Sequence, residues 1–265
     1  MSVLVKKLVI NTIGGSEVKM RGKGCLAAMA LVLSLTCQLA HAQWTARVEA
    51  GLVAARGNSN TDTSNLKLEV QREYVRWKHR FEGSGVYASD NTGAISQRWS
   101  VREQSDYAFH EKGFWFGSGR YEEDRFSGFE YQSTIGTGLG WRFFDDDITK
   151  FSIQLGGGYK ILRTRDSLAD DGVTIIPGTR EEDAIGQFML DFERQLTGTT
   201  KVLNKLLVES GADNTFVQND TSLQVTILGA LSLAVGYSVR YNTDPPPEFT
   251  TTDTLTTLNL VYELK

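Results

Sequence analysis

The feature that most constrains the fold of this sequence is an alternation of apolar and polar residues that begins at Trp44 and recurs almost to the last residue. In 44–54, tryptophan, alanine, valine and leucine alternate with threonine, arginine, glutamate and glycine. The same period of two is found in 131–143, 151–161, 233–241 and 258–264. Successive side chains of a β-strand point to opposite faces, so this pattern predicts strands whose two faces meet different solvents.

We predict twelve such strands. Their approximate bounds are 44–56, 64–75, 79–89, 97–109, 114–122, 130–143, 151–163, 182–194, 201–212, 220–228, 231–243 and 254–264. The connections after odd-numbered strands are longer and polar, as in GNSNTDT and TDPPPEFTTT, whereas most of the others are short. An even number of antiparallel strands with short turns at one end and longer loops at the other is typical of outer-membrane β-barrels. The predicted fold class is therefore all-β, an antiparallel up-and-down transmembrane barrel of about twelve strands.

A soluble sandwich or lipocalin-like barrel with its apolar face inward is the alternative for every strand. Strands of 10–13 residues favour the membrane barrel, because soluble strands are usually about 5–6 residues long and about 9–11 cross a bilayer obliquely. Aromatic residues near predicted strand ends also favour it, since interfacial girdles need them there. They are Trp44, Trp77, Trp99, Trp115, Tyr121, Trp141, Tyr241 and Tyr262.

Two segments leave the strand count open. Val202, Leu203, Leu206 and Leu207 also fit a helical stripe, so 201–212 is compatible with an amphipathic helix. The apolar run 225–235 contains two strands only if the chain turns at Gly229 and Ala230.

The N-terminal segment is predicted to be a secretory signal peptide. Arg21 and Lys23 form a basic region, 26–35 is apolar, and Ala40-His41-Ala42 is a small-x-small cleavage site before Gln43. The apolar stretch is too short for a comfortable membrane span. Two domains follow: a signal peptide at 1–42, with the true start at Met1 or Met20, and a barrel at 43–265.

Composition limits the chemistry of the exported chain. Both cysteines, Cys25 and Cys37, lie in the signal, so disulfides, cysteine-zinc sites and cysteine nucleophiles are not expected in the barrel. The chain carries 28 Lys+Arg against 32 Asp+Glu, and nucleic acid is not an expected partner because phosphate affinity requires clustered basic residues. The expected partners are outer-membrane lipid and, in one alternative, a small solute or ion. The expected location is the cell outer membrane, and the oligomeric state is open.

Candidate catalytic residues are few. Serine-type hydrolysis needs a histidine base, and the only histidines after residue 43 are His79 and His110, both near predicted short turns. Glu122, Glu123 and Asp124 invite a paired-carboxylate reading, but adjacent residues point apart, and a charged surface loop is the prediction.

Metal and phosphate motifs are also incomplete. Asn58, Asn60 and Asp62 have a spacing that could contact Ca²⁺, but no bidentate Glu follows, so a polar outer turn is predicted. The glycines at 156–158 lie within a predicted strand, where they are expected to let the strand bend or to keep space in a narrow lumen rather than to cradle a phosphate. We predict no catalytic, cofactor-binding or metal site and no enzyme activity, with an outer-membrane hydrolase as an alternative.

The polar phase is predicted to line the lumen with charges of both signs. Its members are Arg47, Glu49, Lys67, Glu69, Glu73, Arg80, Glu82, Arg98, Arg102, Asp106, Arg142, Lys160, Asp191, Glu193, Arg240 and Glu263. Opposite charges in a twelve-stranded bore are expected to pair across it, because an unpaired charge in a confined site is costly. Such a lumen is compatible with a largely plugged structural barrel or with a narrow, porin-like channel.

Several short motifs follow one another along the chain. They are Glu49-Ala50-Gly51-Leu52 followed by Gly57-Asn58-Ser59-Asn60-Thr61-Asp62-Thr63, then Tyr121-Glu122-Glu123-Asp124-Arg125-Phe126, Gly138-Leu139-Gly140-Trp141-Arg142, and Tyr241 with Pro245-Pro246-Pro247 and Asp253. Over 44–264 this order resembles the salt-induced outer-membrane proteins, a domain of unknown function in Gram-negative bacteria. The resemblance implies an outer-membrane barrel that responds to osmotic or salt stress, with no established activity. Our own hypothesis for its function is a structural or small-solute role in the envelope, with the insertion machinery as a partner during biogenesis. Such barrels usually end in Phe or Trp, whereas this chain ends Tyr262-Glu263-Leu264-Lys265.

Overall fold

The computed structural model describes residues 44–55, 61–90, 93–125, 127, 129–168, 175–245 and 249–264. These residues form fourteen strands. The strands are β1 (Trp44–Ala55), β2 (Thr61–Glu73), β3 (Trp77–Asp90), β4 (Gly93–Ala108), β5 (Gly113–Asp124), β6 (Phe129–Asp145), β7 (Thr149–Thr164), β8 (Ser167–Leu168), β9 (Ile175–Ile176), β10 (Arg180–Gln195), β11 (Thr200–Ser210), β12 (Thr215–Leu228), β13 (Leu231–Asn242) and β14 (Thr252–Leu264). In this described part of the chain, no helix is long and apolar enough to cross a membrane.

Twelve of the strands close into one antiparallel barrel. Each pairs with its neighbours in sequence, β7 pairs with β10, and β14 pairs with β1 to close the ring. The short strands β8 and β9 form a separate hairpin in the connection between β7 and β10. The predicted fold class and strand number of the barrel are confirmed, and the hairpin was not predicted.

The register fixes the slope of the strands. Followed across the paired residues once round the barrel from Arg47, the register returns to β1 about 16 residues further along. For twelve strands that stagger corresponds to a tilt of about 43° from the barrel axis. Residues that face each other across the bore therefore come from distant parts of the sequence.

The two ends of the barrel differ. The terminal end holds the start of β1, the end of β14 and the short connections 74–76, 109–112, 146–148, 196–199 and 229–230. The loop end holds the β8–β9 hairpin and the long connection between β13 and β14. Its other connections are not all long: β3 ends at Asp90 and β4 begins at Gly93, so most of the connection predicted at 90–97 is strand. Gly229 has a φ of 55°, so the chain does turn there and 225–235 contains two strands, as predicted. The segment 201–212 is strand β11 and not a helix.

The outer wall carries the apolar phase of the alternation. Ile135 and Leu155 are 65% and 63% exposed although they lie in mid-strand, which is expected of side chains that face lipid. Aromatic side chains ring both edges of this band. The terminal girdle comprises Trp77, Tyr107, Trp115, Trp141, Phe151, Phe192 and Tyr262, and the loop girdle comprises Tyr87, Trp99, Tyr121, Tyr131, Tyr159 and Tyr241.

The girdles are separated by a membrane-sized band. Trp141 and Tyr131 are ten residues apart on β6, which is about 33 Å along a strand and about 24 Å along the axis at that tilt. The apolar band of an outer-membrane barrel is about 25 Å tall. The predicted clustering of aromatic residues at strand ends is confirmed.

The buried apolar core lies inside the barrel. Phe114, Phe116, Met189, Leu207 and Phe216 point inward and form one cluster. The rings of Phe114 and Phe116 occupy space that inward glycines leave free: a Cβ on Gly156 would come within 2.9 Å of Phe116, and a Cβ on Gly140 would overlap Phe114. Glycine in β6 and β7 therefore does keep room in the lumen, as predicted.

Candidate functional site: the barrel lumen

The lumen contains a cavity of about 670 Å³ that begins near the terminal end and reaches the loop half of the barrel. Charged side chains of β1, β2 and β3 line much of it. Among them are Arg47, Glu49, Lys67, Glu69, Arg80 and Glu82. We refer to this space as the lumen cavity. Its size and its lining suit water, ions and small polar solutes.

Ion pairs cross the bore at mid-height. Lys205 on β11 lies 3.0 Å from Glu69 on β2 and also pairs with Glu82 on β3, which is the strand opposite β11 in the ring. Arg80 on β3 lies 3.7 Å from Asp191 on β10. These contacts join opposite walls, so they limit the width of the lumen cavity.

A second set of ion pairs crosses the bore nearer the loop end. Arg240 on β13 pairs with Glu122 on β5, the opposite strand. Arg120 on β5 lies 3.4 Å from Glu122 and 2.6 Å from Glu209 on β11. The Gln187 amide donates to Glu209 at 3.3 Å. We call the four charged residues Arg240, Glu122, Arg120 and Glu209 the outer ion-pair chain.

The outer ion-pair chain is packed against one aromatic ring. Phe216, 3% exposed, has the Arg120 and Arg240 guanidinium carbons each 5.0 Å from its ring centre. The ammonium nitrogen of Lys160 lies 5.5 Å from the same centre. Cations over a ring face are attracted by its quadrupole, and the attraction grows when water is excluded. Phe216 and the outer ion-pair chain together lie across the bore on the loop side, where Arg120, Glu122 and Arg240 line the lumen cavity.

A third group of charges lies at the terminal end. Glu263, at the end of β14, accepts hydrogen bonds from Arg47, from Lys201 at 2.9 Å and from the Gln224 amide at 3.2 Å. Asn259 donates to Glu49 at 3.0 Å. These contacts tie the closing strand pair β1–β14 to β11 and β12.

The predicted lumen residues are in place, apart from one at the rim. Their alternation with outward neighbours puts them on the inner face, and several pair across the bore, as expected. Glu73 is the last residue of β2 and is exposed.

The predicted lumen charges did not include Arg120, Glu209, Lys201 and Lys205, because the alternation was used only in strands where it was unambiguous. All four are found when every second residue of β5 and β11 is assigned to the inner face along the whole strand.

The acidic cluster was predicted wrongly. Glu122, Glu123 and Asp124 are not a surface loop but the last three residues of β5. Glu122 and Asp124 are buried in the lumen, whereas Glu123 points outward and accepts a hydrogen bond from the Trp99 indole at 3.3 Å. The strand extends further than predicted because each of these residues has a backbone partner on β4.

Both histidines lie at the terminal end on the outer wall. His79 is inside β3 rather than in a turn, stacks on Trp77 at 5.8 Å and has Nδ1 2.7 Å from Ser105 Oγ. His110 is in the connection 109–112 and stacks on Trp141 at 5.5 Å. The two rings are thus part of the terminal aromatic belt.

The remaining candidate residues do not come together. Asn58 and Asn60 lie outside the described residues, and Asp62 is in β2. The glycines at 156–158 lie within β7, as predicted. Among the residues that the structure describes, no group of three or more His, Cys, Asp or Glu side chains is placed to hold a metal ion.

A closed antiparallel barrel with a charged lumen and an apolar outer wall between two aromatic girdles has the architecture of outer-membrane β-barrels. More specifically, the chain belongs to the family described as a protein of unknown function, DUF481, which matches residues 48–264. The resemblance found in the sequence motifs, to a barrel family of unknown function, is thereby confirmed.

Relatives support the same assignment. The chain is 24% identical over 222 residues to an uncharacterized protein, YdiY, of Escherichia coli strain K12, with 82% of each chain covered. Among solved structures it resembles the translocator domain of the autotransporter NalP from Neisseria meningitidis, with a TM-score of 0.51, 11% identity, and 91% of this chain and 96% of that chain covered. The likeness to NalP concerns the fold alone.

Proposed function

We propose that this chain is exported through cleavage before Gln43 and inserted into the outer membrane with the help of the insertion machinery. The apolar outer wall and its two girdles support this location, because such a surface is stable only against lipid or detergent. Fractionation should recover the protein with the outer membrane in detergent, with a heat-dependent gel mobility and Gln43 as the N-terminus. Recovery in the soluble periplasm would overturn the proposal.

We propose further that the barrel admits small polar solutes or ions to its lumen and restricts their passage at the outer ion-pair chain. The single observation that carries this function is the charged lumen cavity, which Arg120, Glu122 and Arg240 of that chain line on the loop side. A lumen built only for stability would be close-packed and would not need about 670 Å³ of open space with charged side chains in its lining. The role is a non-enzymatic one in the envelope, and the salt response that the resemblance implies is testable as protein level against external salt.

The experiment compares two adjacent glutamates in planar bilayers. Glu122→Gln removes the negative charge between Arg120 and Arg240, so these cations repel each other and the chain loosens. We expect a larger unitary conductance than in the wild type. In a salt gradient, the reversal potential should shift in the direction that reports greater anion selectivity. Glu123→Gln is the matched control, because Glu123 is on the outer face of the same strand.

The outcomes separate the functions. If inserted wild type and both variants carry no current, the barrel is structural. If Glu122→Gln and Glu123→Gln behave alike, the outer ion-pair chain is not the restriction. Lipid or peptide hydrolysis that is lost in His79→Ala or His110→Ala would instead establish the hydrolase alternative.

A further inference from the structure

One charged residue interrupts the apolar outer wall. Among the described residues, Glu103 on β4 is the one charged side chain that points outward between the two girdles. Trp99 of the loop girdle and Tyr107 of the terminal girdle lie four residues away on either side along the same strand. Glu103 is therefore at the mid-depth of the proposed membrane, where hydrocarbon cannot solvate a carboxylate.

The Glu103 carboxylate is only half satisfied. Ser105 Oγ donates to Glu103 Oε1 at 2.6 Å, and His79 Nδ1 lies 2.7 Å from the same Oγ. Since the single hydroxyl hydrogen goes to the carboxylate, the histidine nitrogen acts as the donor to Ser105. This chain of donors holds Glu103 as an acceptor. Its Oε2 has no hydrogen-bond partner in the described part of the chain.

The wall on both sides of β4 is indented. Gly117 and Gly119 on β5 and Gly85 on β3 face outward, and a Cβ added at any of them would meet nothing within 4 Å. Gly119 is the direct register partner of Glu103. The carboxylate thus stands beside a shallow groove that admits another surface closely. A protein side chain that donates a hydrogen bond can enter this groove, whereas the acyl chain of a lipid has no hydrogen-bond donor.

A complementary surface lies on the opposite wall. Asn204 on β11 and Asn219 and Thr221 on β12 point outward, and β12 is opposite β4 in the ring. The Asn204 amide donates to Asn219 Oδ1 at 3.1 Å and to Thr221 Oγ1 at 2.8 Å. The Asn219 amide has a single long contact, 3.5 Å to Asn204 Oδ1, so one of its two hydrogens remains available.

The two surfaces are at the same depth. With the stagger of the register distributed evenly over twelve strands, Thr221 and Glu103 lie at equal height along the axis to within about one residue. Copies inserted in one membrane share their orientation, so a contact between copies joins residues of equal depth. The Thr221 hydroxyl donates its one hydrogen to Asn219 Oδ1 at 3.1 Å, so the donor that Glu103 of one copy meets on the next is the Asn219 amide.

We infer that the β4 face of this barrel docks against the β11–β12 face of a second copy, with Glu103 accepting a hydrogen bond from the Asn219 amide. A two-fold contact between β4 faces is disfavoured, because it would bring two Glu103 carboxylates together in hydrocarbon. Since β4 and β12 are on opposite sides of the ring, the contact does not close on itself. Repetition produces rows of barrels in the membrane.

Disulfide crosslinking tests the contact in outer-membrane fractions of cells that express the full chain. Residues 43–265 contain no cysteine, so introduced thiols report alone. Val101→Cys on β4 and Leu206→Cys on β11 flank the two surfaces and leave their polar groups intact. On oxidation the double variant should give a ladder of dimers, trimers and longer species. Adding Glu103→Leu should reduce that ladder severalfold.

Matched variants make the test decisive. Leu155→Cys with Leu206→Cys should give no ladder, because Leu155 is outward at mid-depth on β7, away from the proposed contact. The chain without added cysteines gives the baseline. A dimer from Val101→Cys alone, a ladder that persists undiminished in Glu103→Leu, an adduct with a chain of different mass, or no ladder at all would each overturn the inference.

Discussion

Breaking the outer ion-pair chain at Arg120 should destabilise the barrel by about 3 kcal/mol. Loss of one partner from a buried ion pair costs about 3–5 kcal/mol, because the other charge is left uncompensated. Arg120 and Glu209 are 9% and 1% exposed at their side chains. The lower end of the range applies to Arg120→Met, since Glu122 keeps Arg240 and Glu209 keeps the Gln187 amide.

A double-mutant cycle separates the pair from its surroundings. Glu209→Met should cost about as much as Arg120→Met, because Arg120 then keeps only Glu122, at 3.4 Å. The double variant buries no unpaired charge at this position, so its cost should fall below the sum of the two by at least about 2 kcal/mol. The free energy of unfolding is measured by urea titration in lipid vesicles, with tryptophan fluorescence as the signal.

An exposed pair gives the control. Arg163 and Glu130 lie 2.9 Å apart with side chains 48% and 50% exposed, so Arg163→Met should change the free energy of unfolding by only about 0–1 kcal/mol. If Arg120→Met costs no more than Arg163→Met, or if the two single effects add without coupling, the outer ion-pair chain does not hold the walls together. Either result would contradict the role of the outer ion-pair chain in narrowing the bore.

Two further predictions concern packing and titration. Gly140→Val should lower stability by about 1–3 kcal/mol or more because its Cβ overlaps the Phe114 ring, whereas Gly119→Ala, which meets nothing within 4 Å, should stay within about 0.5 kcal/mol, both in urea titrations. Backbone N–H groups, that of Thr149 first at 2.7 Å, lower the pKa of Asp146 in the exposed turn below its ordinary value. The stabilisation from these bonds is therefore present above the unfolded pKa and lost as pH falls through the lower folded one. Amide NMR of Thr149 in micelles should report this titration and should lose it in Asp146→Asn; an ordinary pKa for Asp146 would contradict the geometry.

The sequence predicted the wall of the barrel well because the wall depends on local periodicity. A residue in β6 such as Leu139 faces outward because its neighbours Gly138 and Gly140 face inward, and that relation needs no tertiary information. The ends of strands were harder. β5 runs on to Asp124 because β4 offers backbone partners that far, which no property of residues 122–124 reveals.

The contacts across the bore could not be predicted from the sequence, and the reason is geometric. The partner of Arg240 depends on which strand stands opposite β13 and on how far the stagger has shifted it by that point. Neither quantity is local. The alternation established that Glu69 and Lys205 share the inner face, but only the closed ring brings them within 3.0 Å.

Some apolar residues point into the lumen, although the alternation along the strands predicts polar side chains there. Phe114, Phe116 and Phe216 occur in the polar phase, where a water-filled pore would place hydrophilic groups. They pack with Met189 and Leu207, and these two residues also line the lumen cavity, together with charged side chains from β1 to β5 and from β10 to β14. A space that is partly filled by apolar side chains and crossed by ion pairs differs both from the water-filled pore of a general porin and from a solid apolar core. The proposed admission of small polar solutes requires a space of this intermediate kind.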